Sequence, residues 1–163
     1  MGAFTKIKVE KKDLTKENKI SLKYLMIGDW VYAKEIGACE VTSINGSVNT
    51  IGVSTIVEKG EDWSKMIEDT ITMSDGVYPI PLTDAILQEN GWKRDEKRED
   101  TWIHYGNLMK IVKKDGKYNW CIGHINFNGD WVSEFDLEIK SVSHLQHILK
   151  SNGFEYWAEN FVI

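Results

Sequence analysis

The chain has 163 residues, which is enough for one sizeable core or for two small modules that share an interface. Hydrophobic residues make up 42% and charged residues 28%, as is typical of a globular protein, and the net charge of −5 argues against a general nucleic-acid-binding surface. Two cysteines without a CxxC motif exclude a disulfide framework, and no apolar run approaches the length of a membrane span.

The first residues of the chain are rich in lysine. Residues 1–23 contain seven lysines against three acidic residues, although the chain as a whole is acidic. Terminal segments of this composition are usually solvated. We therefore expect a basic N-terminal arm over residues 1–20, and this arm is the part of the chain through which a nucleic acid or another anionic partner would bind.

Residues 21–81 have the pattern of a small β module. A strand begins at the Gly28-Asp29 turn, and β-branched residues dominate a later strand over residues 48–57. Before that strand, Asn45-Gly46 is the dipeptide preferred by two-residue type I′ hairpins, in which both turn positions need a positive φ. We expect a small SH3-like barrel or a curled sheet, followed by an extended segment at residues 78–81, where two prolines restrict the backbone.

Two helix ends are indicated by a repeated heptapeptide. The sequences ILQENGW and ILKSNGF occupy residues 86–92 and 148–154. In each, Asn is the expected C-cap, Gly follows in the left-handed conformation, and the aromatic residue packs back on the helix, as in a Schellman motif. Thr83 is the expected N-cap of the first helix, and Ser143, with Gln146 three residues later, has capping-box spacing for the second.

Between these helices the sequence alternates as antiparallel strands do. We expect strands over residues 101–105, 108–113, 118–125 and 131–140, with turns at Asp115-Gly116 and Asn128-Gly129. Residues 93–100 are expected to form a charged hairpin tip, and the apolar tail, residues 156–163, to dock. The predicted fold class is α+β, mainly antiparallel β, in which a β-meander and two short helices over residues 82–163 are either a separate module or share one core with the first.

Seven tryptophans are a high number for this length, and they suggest either a tryptophan-rich β core or an aromatic binding surface. The two histidines His104 and His124 alternate into strands beside tryptophans. If those strands pair, the histidines would form an acid–base group with Glu134 or Asp136. The candidate ligand-binding residues are Trp30, Trp63, Trp102, Trp120, His104 and His124.

The usual motifs of enzyme sites are absent from the sequence, which contains no GxxxxGK[ST], GxGxxG, HExxH or GxSxG pattern. His144 and His147 share a helix face, but no third ligand has a suitable spacing for a metal site. Cys39 and Cys121 lack a neighbour that would lower the thiol pKa, so both are expected in the core. We therefore predict no metal, no cofactor and no catalytic residue.

Three segments of the sequence resemble a group of small uncharacterised proteins that occur in prophages and mobile elements of gut anaerobic bacteria. They are LMIGDWV at residues 25–31, PIPLT at residues 79–83 with IL and NGW after it, and residues 139–153, which contain VSHLQ. The resemblance spans residues 22–155, with Ser143-His144 where the group has His-Gln and Ile148 where it has Leu. It implies a phage-derived or mobile accessory protein in the bacterial cytoplasm and transfers no catalytic residue.

Three functional hypotheses follow. The first is a non-enzymatic binding module that contacts a host protein or sequesters a small ligand, with tryptophans as the walls of a groove. The second is an enzyme without a sequence motif, in which His104, His124 and a carboxylate share a cleft. The third is a structural protein that self-associates through its apolar tail and tryptophan-rich edges.

Overall fold

A computed structural model of the protein describes residues 19–34, 36–59, 64–73, 76–104 and 108–163. Within this part of the chain, ten strands form two five-stranded antiparallel sheets, and three α-helices accompany them. The predicted α+β, mainly antiparallel fold class is confirmed. The basic arm as far as residue 18 and Trp63 lie outside the described residues.

The first sheet has the strand order β4-β3-β2-β1-β5. All of its neighbouring strands are antiparallel, and a turn of 3-10 helix, Leu22–Tyr24, precedes it. Its strands are β1 Trp30–Ala33, β2 Gly37–Asn45, β3 Thr50–Lys59, β4 Ser64–Thr72 and β5 Val77–Pro79.

The first sheet is open, so the SH3-like barrel, one of the two forms expected for residues 21–81, is not formed. Its edge strands β4 and β5 do not pair with each other. Closure is disfavoured at β5, because this strand has three residues and ends at Pro79, which has no N–H to add to a ladder.

The hairpin between β2 and β3 is present, but its turn differs from the prediction. Asn45 pairs with Thr50, so residues 46–49 form the connection, and the left-handed residue is Asn49, with φ of 53°. The expected type I′ turn at Asn45-Gly46 is therefore wrong. The Asn45 side-chain oxygen accepts hydrogen bonds from Ser47 N at 3.2 Å and from Ser47 Oγ at 2.6 Å, and this local Asx turn replaces it.

The second sheet is a meander with the strand order β10-β9-β8-β7-β6. The turn at Asp115-Gly116 is a two-residue hairpin, as expected, with φ of 50° and 77° and with Lys114 paired to Lys117. Residues 93–100 form a hairpin with its turn at residues 96–97. The strands are β6 Lys93–Asp95, β7 Arg98–His104, β8 Met109–Lys114, β9 Lys117–Ile125 and β10 Trp131–Ile139.

The helices are α1 Asp84–Glu89, α2 Val142–Ser151 and α3 Glu155–Glu159, of which α3 was not expected from the sequence. The Thr83 hydroxyl accepts the N–H of Ile86 at 3.3 Å, which confirms that N-cap. The capping box expected at Ser143 is wrong. Ser141 is the N-cap of α2, and its hydroxyl accepts the N–H of His144 at 3.1 Å.

Both helix ends inferred from the repeated heptapeptide are confirmed. Gly91 and Gly153 each have φ of 80°. The N–H of Trp92 donates to Leu87 O at 3.0 Å, and the N–H of Phe154 donates to Leu149 O at 2.9 Å, as the Schellman geometry requires.

The chain divides into two compact units. The first comprises the described residues up to Pro81, together with Ser141–Phe161 and Ile163, and the second comprises Leu82–Lys140 and Val162. The helices α2 and α3 thus group with the first sheet and not with the meander that precedes them. None of the helices in the described part of the chain has the length and apolarity needed to cross a membrane.

Each unit has its own buried side chains. In the first, α2 packs on β1 and α3 packs on α2. The buried residues of this unit include Val31, Cys39, Val41, Ile51, Val53, Leu145, Leu149, Ala158 and Phe161, the last two from the segment after α2. The second unit buries Leu87, Trp92, Trp102, Met109, Ile111, Trp120 and Ile139.

Candidate functional site

Two of the predicted ligand-binding tryptophans are core residues of the second unit. Trp102 on β7 is fully buried, and the guanidinium carbon of Arg94 lies 4.5 Å from its ring centroid. Trp120 on β9 is buried and makes an edge contact with Trp92, with ring centroids 6.2 Å apart. These positions favour a packing role, and ligand binding by them stays a prediction.

His104 belongs to the same aromatic cluster. Its ring centroid lies 5.3 Å from that of Trp92 in an edge arrangement, and its Nε2 lies 3.0 Å from Asn90 O. Burial lowers the pKa of His104, and the hydrogen bond to Asn90 opposes this shift. Both the packing and the pKa favour a neutral ring.

The acid–base group of His104, His124 and a carboxylate stays a prediction. Strand β8 lies between β7, which carries His104, and β9, which carries His124. The side chains of His124 and Glu134 lie outside what the structure describes. Asp136 forms an ion pair with Lys114 on the second sheet.

Trp30, at the start of β1, is in the first unit and is half-buried. Its indole Nε1 donates to Phe161 O at 2.9 Å, and its backbone N donates to the side-chain Oε1 of Gln146 at 3.0 Å. It therefore joins the first strand to α2 and to the C-terminal segment. Trp63, the remaining candidate, lies outside the described residues.

A concentration of polar groups surrounds the turn that precedes β1. We call this set, Gly28, Asp29, Glu40, His147 and Lys150, the Gly28 site. The turn is closed by a hydrogen bond from Asp29 N to Met26 O at 3.1 Å, and Gly28 has φ of 89°, which only glycine adopts without strain.

Asp29 is the buried centre of the Gly28 site. Its side chain is 0% exposed, and its carboxylate accepts the N–H of Met26 at 2.8 Å. Both carboxylate oxygens lie close to His147 Nε2, at 2.8 and 2.9 Å. A carboxylate removed from water needs such partners, because an unpaired buried charge is strongly destabilising.

His147 is oriented by Asp29 and remains partly accessible. Its side chain is 27% exposed. Nδ1 forms no hydrogen bond with any residue that the structure describes, whereas Nε2 is engaged by the carboxylate. When Nε2 donates its hydrogen to the Asp29 carboxylate, a ring with a single N–H has its lone pair on Nδ1. This nitrogen can accept a proton or a hydrogen bond from a ligand.

Gln146, the neighbour of His147, anchors α2 beneath the turn. Its fully buried amide accepts the N–H of Trp30 and donates to Gly28 O at 2.8 Å and to Ala158 O at 3.1 Å. Three hydrogen bonds from one buried side chain specify a single position for the turn relative to the helix.

Glu40, on β2, and Lys150, on α2, both lie close to the turn. A Cβ atom placed on Gly28 would lie 3.9 Å from Glu40 Oε1 and 3.8 Å from Lys150 Nζ. The Lys150 ammonium also donates to Ile27 O at 3.4 Å. Burial raises the pKa of Glu40, and the charge of Lys150 opposes this shift. The Gly28 site therefore combines two carboxyl groups, an imidazole and an ammonium group.

Large apolar side chains are exposed immediately before the Gly28 site. Tyr24, Met26 and Ile27 are exposed, whereas Leu25 between them is buried. The Lys23 ammonium lies 4.7 Å from the centroid of the Tyr24 ring. Residues 23–27 thus present apolar side chains together with a positive charge.

The second unit has a polar cluster of its own, in which the polar side chains bind one another. Asp84 accepts hydrogen bonds from Tyr118 Oη at 2.5 Å, Lys113 Nζ at 3.1 Å and Arg94 at 2.7 Å. Burial acts to raise the pKa of Asp84, but these partners outweigh it, so the pKa is lowered. Burial and the same hydrogen bond raise the pKa of Tyr118. This geometry suits a structural ion pair better than a reactive group.

The described residues contain no group of three or more His, Cys, Asp or Glu side chains placed to hold a metal ion. Cys39 and Cys121 are free and buried. Burial raises the pKa of Cys39 to about 11 and that of Cys121 to about 12, so both thiols are protonated at neutral pH.

The pairing of Asp29 with His147 was missed from the sequence, since 118 residues separate them. His147 was considered only as sharing a helix face with His144. The available signal was Gln146, a polar residue on the apolar face of that helix, because a buried amide at such a position needs a distant partner. No family model, curated protein or solved structure matches the chain.

Proposed function

We propose that the protein is a non-enzymatic binding module that contacts a partner protein through residues 23–27, beside the Gly28 site. The observation that carries this proposal is the exposure of three large apolar side chains in one short segment, Tyr24 at 63%, Met26 at 45% and Ile27 at 61%. Exposed apolar side chains grouped in this way are characteristic of interaction surfaces.

Hydrogen bonds to buried side chains also hold this segment in place. Asp29 accepts the backbone N–H of Met26, and Gln146 accepts the N–H that follows the turn while donating to Gly28 O. A surface turn fixed in this way loses little conformational entropy on binding, so more of the contact free energy contributes to affinity.

The charges nearby indicate the chemistry of the partner. Lys23 lies against the Tyr24 ring and Lys150 lies against the carbonyl oxygen of Ile27. A complementary surface would present an apolar depression rimmed by carboxylates. In the setting that the resemblance of residues 22–155 suggests, a phage-derived or mobile accessory protein, this partner is a host protein.

The test places a photoreactive phenylalanine derivative at position 27 or 48 of the full chain in cells that naturally express it. Val48 is the matched control, because it is 61% exposed, like Ile27, and lies in the loop between β2 and β3. We expect one protein to be crosslinked from position 27 and not from position 48, and to be lost from purifications of Ile27→Asp but not of Val48→Asp. Identical crosslinks from both positions, or none from position 27, would refute the proposal.

A second candidate function is general acid–base catalysis by His147. The specific observation is that the buried Asp29 carboxylate holds Nε2, as the carboxylate of a catalytic triad holds its histidine, while the ring stays partly exposed. Glu40, with its raised pKa, adds a second titratable group at the same turn.

Wild type, His147→Gln and His144→Gln are compared for hydrolysis of p-nitrophenyl esters and phosphodiesters. His144 is the control because it lies on the same helix as His147. Its backbone N–H donates to the N-cap hydroxyl of Ser141, whereas Asp29 binds the side chain of His147. Turnover that is lost only in His147→Gln would support catalysis. Equal rates in the three proteins would exclude it for these substrates and leave the binding proposal intact.

A further inference from the structure

Four strands form the edges of the two sheets, and three of them carry a feature that blocks pairing. β5 has three residues and ends at Pro79, and the N–H of Ile20 donates to Val77 O at 2.9 Å. β6 also has three residues, and β10 has an irregularity between Ser133 and Phe135. Short strands, prolines and bulges are devices that prevent pairing at sheet edges.

The remaining edge, β4, lacks these features. It is nine residues long and contains neither proline nor glycine. It pairs with β3 without interruption from Met66 to Thr72, and the one irregularity in this ladder, between Ile56 and Glu58, lies on β3 and not on β4. Residues 66–70 are all exposed, and they include the apolar side chains of Met66 and Ile67. Within the described part of the chain, no strand pairs with its outer side. β4 is therefore a long and regular edge, able to accept a further strand.

We propose that β4 pairs with β4 of a second copy of the chain, in an antiparallel dimer with two-fold symmetry. In such a dimer one residue of the strand lies opposite its own copy, because the axis passes through the centre of the paired segment. The choice of that residue decides which side chains face each other across the interface.

Charge complementarity selects the register. Centring the pair on Glu68 or on Asp69 would place a carboxylate opposite its own copy, which is destabilising. Centring it on Ile67 places the two isoleucines opposite each other and Met66 opposite Glu68. The same register places position 65, a lysine, opposite Asp69. In this register no carboxylate lies opposite another: Asp69 lies opposite a lysine position, and Glu68 lies opposite an apolar residue.

The register also determines the strength of the dimer. Centred on Ile67, the overlap covers residues 64–70, which is a small interface compared with the roughly 1,200–2,000 Å² of stable complexes. We therefore expect a weak dimer whose population rises with protein concentration.

Disulfide trapping of the full chain tests the register. Residues directly opposite each other in an antiparallel pair have Cα atoms about 4.5–5.5 Å apart, which is within disulfide range. Under mild oxidation, Ile67→Cys should form a covalent dimer rapidly, whereas Glu68→Cys and Val48→Cys should not. The native cysteines are a suitable background, because both are buried.

Sedimentation equilibrium supplies the second measurement. Ile67→Lys, which would place a positive charge opposite its own copy, should raise the dimer dissociation constant about tenfold or more, equivalent to about 1.4 kcal/mol. Val48→Lys should leave it unchanged, and circular dichroism verifies that both variants are folded. Trapping of Ile67→Cys no faster than Val48→Cys, faster trapping of Glu68→Cys, or a wild-type protein that stays monomeric at every concentration would overturn the proposal.

Discussion

The two units of the protein are stabilised by different kinds of interaction. In the first, buried polar side chains, Asp29 and Gln146, connect segments that are distant in sequence. In the second, Trp92 and Trp120 pack edge to face in an apolar core, and the polar cluster around Asp84 lies at its surface. Apolar burial is non-directional, whereas a buried polar network requires one geometry. The first unit therefore fixes a surface turn, and the proposed binding function depends on that turn.

The largest expected effect is in the aromatic core of the second unit. Trp102→Ala should lower the free energy of unfolding by about 3–5 kcal/mol, because it removes a fully buried ring and leaves a cavity. Phe127→Ala, in the same unit but fully exposed, should change it by less than about 0.5 kcal/mol. Urea denaturation measures both. A small loss for Trp102→Ala would mean that aromatic burial is not what stabilises this unit.

The polar network of the first unit is tested by Asp29→Ala. We expect a loss of about 1–3 kcal/mol, because the substitution removes the acceptor of the Met26 N–H and of His147 Nε2. Asp130→Ala, at an exposed position, is the control. Hydrogen exchange should show faster exchange at the N–H groups of Met26 and Trp30. Unchanged exchange at these two groups would contradict the role given to the network.

The two helix ends allow a direct comparison between the units. Gly153→Ala should cost about 1–2 kcal/mol, because alanine is strained in the left-handed conformation. Gly91→Ala should cost more, since its Cβ would also lie 3.0 Å from His104 Nε2, whereas at Gly153 nothing lies within 4 Å. Gly46→Ala is the control, because it is not left-handed and its Cβ would meet open space. Thermal denaturation of the three variants ranks their losses of stability. Equal losses of stability at positions 91 and 153 would contradict the contact with His104.

The smallest expected effect is a pH dependence in the second unit. Because burial lowers the pKa of His104 in the folded protein, the unfolded chain binds a proton more readily. The stabilisation is complete above the ordinary pKa of 6.5 and is lost progressively as the pH falls from there towards the lower folded value. His104→Gln should reduce the decrease in unfolding free energy between pH 7 and pH 5. The same decrease in wild type and variant would show that another group is responsible.

The features that the sequence predicted correctly are those determined by neighbouring residues. The left-handed glycines Gly91 and Gly153 and the Asp115-Gly116 turn follow from local backbone geometry. The alternation of apolar and polar residues along the strands likewise indicated a mainly antiparallel fold.

The features that were missed depend on contacts between distant residues. Gln146 was interpreted as part of a local capping box, but its amide binds Gly28 and Trp30, more than a hundred residues earlier, with sequence separations of 118 and 116. His147 was considered only with its neighbour His144, since nothing near it in the sequence points to Asp29. Of the predicted aromatic site, Trp102 and Trp120 are buried, because large aromatic rings serve equally well as core residues.

The division of the chain has a consequence for its synthesis. Val142 N donates to Ile80 O at 2.9 Å, so the chain leaves the first unit and returns to it at adjacent points. Apart from Val162, the second unit is therefore an insertion within the first. A ribosome completes residues 82–140 before it makes Gln146 and His147, so the inserted unit can fold while the nascent first sheet still lacks its helix. The exposed residues 23–27 then acquire their final conformation only after α2 has been synthesised.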